Sequence, residues 1–276
     1  AKELGIGKND IRRRNFIPSD AFPYDSPAGL VFDSGDYEPT LDRALELAKV
    51  TELRAEQQRL RDEGSNTQLG IGMCTYVEMC GLAPSRVLAS LNYGAGGWES
   101  ATVRMLPTGS VQVVTGTSPH GQGHETTWSQ IVADQLGIDP NAIEVLHSDT
   151  AVSALGLDTY GSRSLAVGGT AVHMATDIVL EKARAIAAHQ LEAAPEDIEF
   201  EEGSFRVRGS PDKAVAIGDV AMAAFTAHDL PDGMEPNLTA QVTYDPPNFV
   251  FPFGTHLAVI EPDTETRDIR LRGYTA

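Results

Sequence analysis

Cysteine is nearly absent: Cys74 and Cys80, six positions apart, are the only two in 276 residues. That spacing suits neither a disulfide framework nor a zinc site, and it predicts two core thiols in an intracellular, cytoplasmic protein. Basic side chains are also scarce. Lys and Arg number 21 against 39 Asp and Glu, a formal net charge of −18. Nucleic-acid binding takes clustered cations, so that partner class is excluded, and an anionic membrane surface is disfavoured by the same sign. The one basic run, Arg12 to Arg14, reads as a solvated helix face. No apolar run approaches the roughly 18–20 residues of a membrane span. The chain has no Gly-Lys-Ser/Thr phosphate loop, no G-x-G-x-x-G dinucleotide fingerprint and no long-period repeat.

What is present is enough apolar sequence, 41% of residues, to build a core without staples. Helical spacing predicts helices over Lys2 to Arg14, Thr40 to Asp62, Thr126 to Leu136, Ala171 to Ala194 and Val215 to Thr226. Leu69 to Gly81, apolar on both faces, predicts a buried strand. Alternating segments around Pro107-Thr108-Gly109, Glu202-Gly203-Ser204 and Pro262 to Arg267 predict three hairpins, and Ile143 to His147 a further strand. Thr150 to Ser164 reads as a long polar loop and Asp245 to Asn248 as a rigid one. Hairpins outweigh strand–helix–strand units, so the expected class is α+β, with mixed or antiparallel sheets and packed helices. The chain opens at Ala1 in a helical pattern and closes at Ala276 in a strand pattern, which predicts the middle of a longer polypeptide.

Two junctions could carry chemistry. In the first, Thr115 to Thr127, a strand ends, Gly121-Gln122-Gly123 follows and a helix begins. Glycines let backbone approach a ligand closely, and the unsatisfied N–H groups of a helix N-terminus favour an anion. Gln122 adds a donor and an acceptor. In the second, Thr159-Tyr160-Gly161-Ser162-Arg163-Ser164 leads through Gly168-Gly169 into the longest helix. There Ser162 or Ser164 reads as a cap or a ligand hydroxyl, and the Arg163 fork suits a phosphate. Each junction taken alone also reads as an ordinary turn. Together they would cradle one large polyanion with directed N–H groups, in a protein whose bulk charge opposes it. A third glycine segment, Tyr93 to Trp98, reads as a flexible loop with an anchoring aromatic. His120, His124 and Glu125 raise a competing reading, a metal-dependent hydrolase, although the glycines between the histidines argue against one continuous zinc-binding helix.

The strings GTSPHGQGHETTWSQIVADQLGI, DTYGSRSLAVGGTAV and YDPPNFVFPFGTH resemble the large subunit of molybdenum hydroxylases, the xanthine dehydrogenase and aldehyde oxidase family. They are similar in particular to its aerobic carbon monoxide dehydrogenase branch. RRRNFIPSDAFPYDSPAGLVFDSGDYEPTLDRALELA and GAGGWESATVRMLPTGSVQVVTGT carry the same resemblance, so it spans the chain in order. It implies a molybdenum–molybdopterin cofactor in its cytosine dinucleotide form. Gly121, Gln122, Gly123 and His124 would contact it from the first junction, and Thr159, Gly161, Ser162, Arg163 and Ser164 from the second. It implies two partial lobes, residues 1–85 and 90–276, with the cofactor between them. The implied chemistry is oxidation of CO to CO2, or hydroxylation of an aldehyde or heterocycle with water-derived oxygen. Iron–sulfur and FAD subunits would be partners in a homodimer of heterotrimers. In family order the loop beside molybdenum precedes Ala1 and the general-base glutamate follows Ala276, so neither catalytic residue is expected here and the isolated chain is expected to be inactive. A non-catalytic scaffold or dimerisation domain is the remaining alternative.

Overall fold

A computed structural model describes residues 1–152 and 155–276. Ser153 and Ala154, within the loop expected over Thr150 to Ser164, lie outside the described residues. The chain divides into two compact units, Ala1–Cys80 with Phe249–Ala276, and Gly81–Asn248. The division is not contiguous along the chain. The return strand after Asn248 pairs with a strand laid down before Cys80, so it completes the first unit.

The first unit begins with α1 (Lys8–Arg13), β1 (Tyr24–Asp25), β2 (Val31–Phe32), α2 (Tyr37–Leu47), α3 (Val50–Asp62) and β3 (Gly70–Val77). The helix expected over Lys2 to Arg14 is shorter, because Gly5 takes a positive φ ahead of it. The helix expected over Thr40 to Asp62 is two helices. Lys49 adopts φ 51, a left-handed conformation that ends one helix and starts the next. The break lets Leu45 and Ala48 of the first segment and Val50, Leu53 and Leu60 of the second pack on one core of Leu69, Leu257 and Val259.

The second unit holds α4 (Ser85–Ser90), β4 (Glu99–Met105), β5 (Val111–Thr115), α5 (His124–Leu136), β6 (Ile143–Leu146), α6 (Thr170–Gln190), β7 (Ile198–Glu201), β8 (Ser204–Val207), β9 (Ser210–Ala216), α7 (Ile217–Thr226) and β10 (Leu238–Tyr244). The sequence reading missed α4 and β10, and it merged the end of β9 with α7. Val215 is strand because it pairs with Phe205. One sheet has the order β10-β4-β5-β6; its first two pairings are antiparallel, and β5 runs parallel to β6. A second has the order β7-β8-β9. The mixed α+β expectation therefore holds. Ala101, Val103 and Met105 of β4 alternate inward with Val111 and Val113 of β5. Against them α6 buries Ala171, Ala175, Val179, Ala183 and Ile186, a stripe at helical spacing.

The chain then returns to the first unit with β11 (Phe253–Pro262) and β12 (Ile269–Thr275), giving the sheet order β12-β11-β3. Here the expectation of a fully buried strand over Leu69 to Gly81 is corrected. Gly72, Cys74 and Tyr76 of β3 are exposed, while Ile71, Met73 and Thr75 are half-buried. The packed core lies on one face of this sheet, against α2 and α3. The core-thiol reading falls with it: Cys74 is exposed and Cys80 only half-buried. Among the described residues, no helix is long and apolar enough to cross a membrane.

Candidate functional site

Both predicted junctions lie in the second unit. β5 and β6 are parallel neighbours joined through α5, and the first junction leaves the carboxyl end of β5. Crevices at carboxyl ends of parallel strands are the usual ligand positions in such units. The helix starts two residues earlier than expected, so His124 is its first residue and Gly123 its cap at φ 76. Gly121 has φ 101. A Cβ on either glycine would meet nothing within 4 Å, so the space beside this backbone is open. The Gln122 carboxamide oxygen accepts the His120 N–H, which folds the turn and leaves the amide NH2 as a donor for the cavity that the side chain lines.

The second junction meets the first. His120 Nε2 lies 3.3 Å from the Thr159 carbonyl, and the Ser118 N–H donates to Asp158 Oδ1 at 2.9 Å. Burial works against ionisation of Asp158, but amide hydrogen bonds from Ser118 and Thr159 outweigh it and hold its carboxyl below the usual range. Ser164 Oγ donates to Thr159 Oγ1 at 2.8 Å. A cavity of about 580 Å³ is lined by His120, Gln122, His124 and Trp128 on one side and by Thr159 to Leu165 on the other. Of the nine residues proposed from sequence, His124 is buried, while Gly121, Gln122 and Gly123 are exposed on the loop ahead of it. Thr159 and Ser164 are half-buried, and Gly161 and Ser162 are exposed. The two glycines of the first loop do not line this cavity, but they bracket Gln122, which does.

Arg163 behaves differently from the sequence reading. Its guanidinium is fully buried. Nη1 donates to Glu99 Oε2 at 2.8 Å and to the Asp158 carbonyl; Nη2 donates to the Gly97 carbonyl at 2.7 Å and the Trp98 carbonyl at 2.8 Å. The fork expected to meet a phosphate is thus spent on protein oxygens beneath the loop. Sequence reasoning also missed Glu99, which is wholly buried. The signal was available: strand alternation that places Ala101, Val103 and Met105 inward places Glu99 inward too.

The metal-hydrolase set does not converge. Glu125 accepts from His147 Nε2 at 2.8 Å, His120 is aimed at the Thr159 carbonyl, and His124 lies tilted against Trp128 at 5.3 Å between ring centroids. The Glu125 carboxyl is held below the usual range by its own backbone N–H and then by His147. Among the described residues, no group of three His, Cys, Asp or Glu could hold a metal ion. His124 Nδ1 and Trp128 Nε1 are buried without a hydrogen-bond partner in the protein. An unmade hydrogen bond of this kind costs about 1–3 kcal/mol. Open glycine backbone, an amide donor at the cavity wall and orphaned ring nitrogens suit a large polar anionic group rather than a metal ion bound directly by side chains.

The family profile described as the molybdopterin cofactor-binding domain matches residues 43–276. The chain is 41% identical over 277 residues to the carbon monoxide dehydrogenase large chain of Hydrogenophaga pseudoflava, covering 100% of this chain and 34% of that one. It is 36% identical over 280 residues to the 6-hydroxypseudooxynicotine dehydrogenase complex subunit gamma of Paenarthrobacter nicotinovorans, covering 99% and 33%. The structure of reconstituted CO dehydrogenase from Oligotropha carboxidovorans superposes with a TM-score of 0.89 at 37% identity, over 99% of this chain and 34% of that one. The chain therefore spans about a third of the length of these relatives.

Proposed function

The chain belongs to the molybdopterin cofactor-binding domain family, and from that premise we propose that its two glycine junctions hold molybdopterin in the cytosine dinucleotide form. The observation that carries the reading is their meeting at one cavity, across the His120–Thr159 contact. Backbone N–H groups at Gly121 and Gly123, the Gln122 carboxamide and the hydroxyls of Thr159 and Ser162 are the donors for the anionic part of the group, and the Ser164 hydroxyl, which donates to Thr159 Oγ1, orients the Thr159 donor. His124 offers its unpartnered ring nitrogen. Gly161, at φ 55, lets the second loop pack against Leu82 where a Cβ would collide, and Arg163 shapes that loop from inside. These residues bind and orient. Bound there, the cofactor supplies oxygen-atom and two-electron transfer at molybdenum.

The parent reaction in this reading is oxidation of CO to CO2, or hydroxylation of an aldehyde or heterocycle with water-derived oxygen. The names of the relatives support both branches: one is a carbon monoxide dehydrogenase large chain, another a subunit of a 6-hydroxypseudooxynicotine dehydrogenase complex. Iron–sulfur and FAD subunits are the proposed electron-transfer partners, in a homodimer of heterotrimers. The low cysteine content supports the cytoplasm as the compartment. Expression from the complete reading frame, followed by molybdenum mass spectrometry and assay of released cytidine monophosphate, tests the reading. Stoichiometric molybdenum and cytidine monophosphate are expected. A folded protein with neither would sink it.

A further inference from the structure

We propose that Glu99 and Arg163 form a buried clamp that positions three glycine-bearing loops around the cavity, and that Arg163 acts from beneath the site rather than on the ligand. The inference rests on the binding reading above and adds to it residues that hold the site's shape. Both side chains are fully buried. Arg163 gathers the Gly97 and Trp98 carbonyls of one loop, the Asp158 carbonyl of a second and the Glu99 carboxylate. Glu99 in turn accepts the Leu157 N–H at 3.1 Å on Oε2 and the Ser100 N–H at 3.1 Å on Oε1.

The third loop is held by shape. Gly116 and Gly156 face each other across Glu99 Oε1, and a Cβ on either would collide with that oxygen. Gly116 opens the segment that runs to Gln122; Gly156 opens the one that runs through Asp158 to Ser164. Fixing both against one carboxylate fixes the spacing of the donors they carry. The arrangement extends sideways: Tyr160 lies over the Arg163 guanidinium, 5.2 Å from ring centroid to carbon, and the same guanidinium holds the Gly97 and Trp98 carbonyls. The Tyr93 to Trp98 segment, which has no role in the sequence reading beyond a loop, is thereby tied to the second junction.

A buried pair broken on one side leaves an uncompensated charge, which the loops must open to hydrate. This separates the clamp from direct ligation. If Arg163 contacted the anion, Glu99→Gln would free the guanidinium, and affinity would hold or rise. If the pair is a clamp, Glu99→Gln and Arg163→Lys both weaken binding.

The experiment uses protein from the complete reading frame, with cytidine 5′-diphosphate as the titrated probe and hydrogen–deuterium exchange as a ligand-free readout. Both variants are expected to bind the probe at least tenfold more weakly. Exchange should accelerate in residues 94–98, 116–123 and 155–164, with α6 and the β4–β5 pairing still protected. Arg163→Lys keeps the charge and serves as the milder variant if Glu99→Gln does not fold. Unchanged affinity and exchange in Glu99→Gln overturns the clamp, as does acceleration spread equally over α6 and β4–β5, which marks a general stability role. If the unaltered protein binds no cytidine 5′-diphosphate, the binding reading fails on its own, and the exchange pattern alone decides the clamp.

Discussion

At the scale of single residues, the proposed site separates groups assigned to a ligand from groups that hold the loops. Gln122 does both, accepting the His120 N–H while lining the cavity. Gln122→Ala therefore removes a loop bond and a donor together. It should cost on the order of 1–3 kcal/mol of cofactor binding, read as lower molybdenum occupancy in protein from the complete reading frame. Asp158 gives a pH signature. Burial works against its ionisation, but the Ser118 and Thr159 amides that it accepts outweigh this and hold its folded carboxyl below the usual carboxylate range. A depressed carboxylate contributes stability that is present above its unfolded pKa and lost as pH falls through its folded pKa. Asp158→Asn should lower the melting temperature at pH 7. Its difference from the unaltered protein should shrink as pH drops below about 4, as followed by circular dichroism melts. Asparagine also tolerates the φ of 71 that Asp158 adopts, so backbone strain does not obscure the comparison.

At the scale of elements, the break between α2 and α3 is the clearest departure from local pattern. Apolar residues recur with helical spacing across it, yet Lys49 turns left-handed so that both segments reach the same core. A left-handed residue with a side chain costs roughly 1–2 kcal/mol, and glycine avoids that steric cost. Lys49 is exposed, so Lys49→Gly should stabilise the first unit by about 1 kcal/mol, net of glycine's greater unfolded-state entropy. Lys49→Ala should not. Urea melts of the two variants check the difference. The start of α5 follows similar reasoning. Gly123 at positive φ moves the helix start back to His124, putting that ring against Trp128.

At the scale of the whole molecule, the net charge of −18 opposes the anionic ligand proposed for the site. Long-range repulsion between surface charge and an anion is screened within about 8–10 Å at physiological ionic strength, whereas short contacts to amides are screened far less. Affinity for cytidine 5′-diphosphate should therefore hold or rise between low and moderate sodium chloride. A cationic groove would lose affinity steeply over the same range. Isothermal titration at two salt concentrations distinguishes the two outcomes.

The sequence by itself determined the local grammar. Alternation at Thr102 to Met105 and Val111 to Thr115, helical spacing in Ala171 to Gln190, and the glycine-rich turns before two helices are all short-range features, and short-range sterics and side-chain periodicity dictate them. That is why the α+β class, the main hairpins and both junctions were legible. Tertiary structure decided which pieces meet. Phe253 to Pro262 joins the first unit because it pairs with β3 across a gap that no local pattern encodes. Cys74 is exposed because only one face of that sheet carries a packed core, a fact about layers and not about the strand. Arg163 is a buried clamp because Glu99, 64 positions away, lies inside with it. A guanidinium has the same chemistry in either setting; burial and the partners brought by folding assign its use.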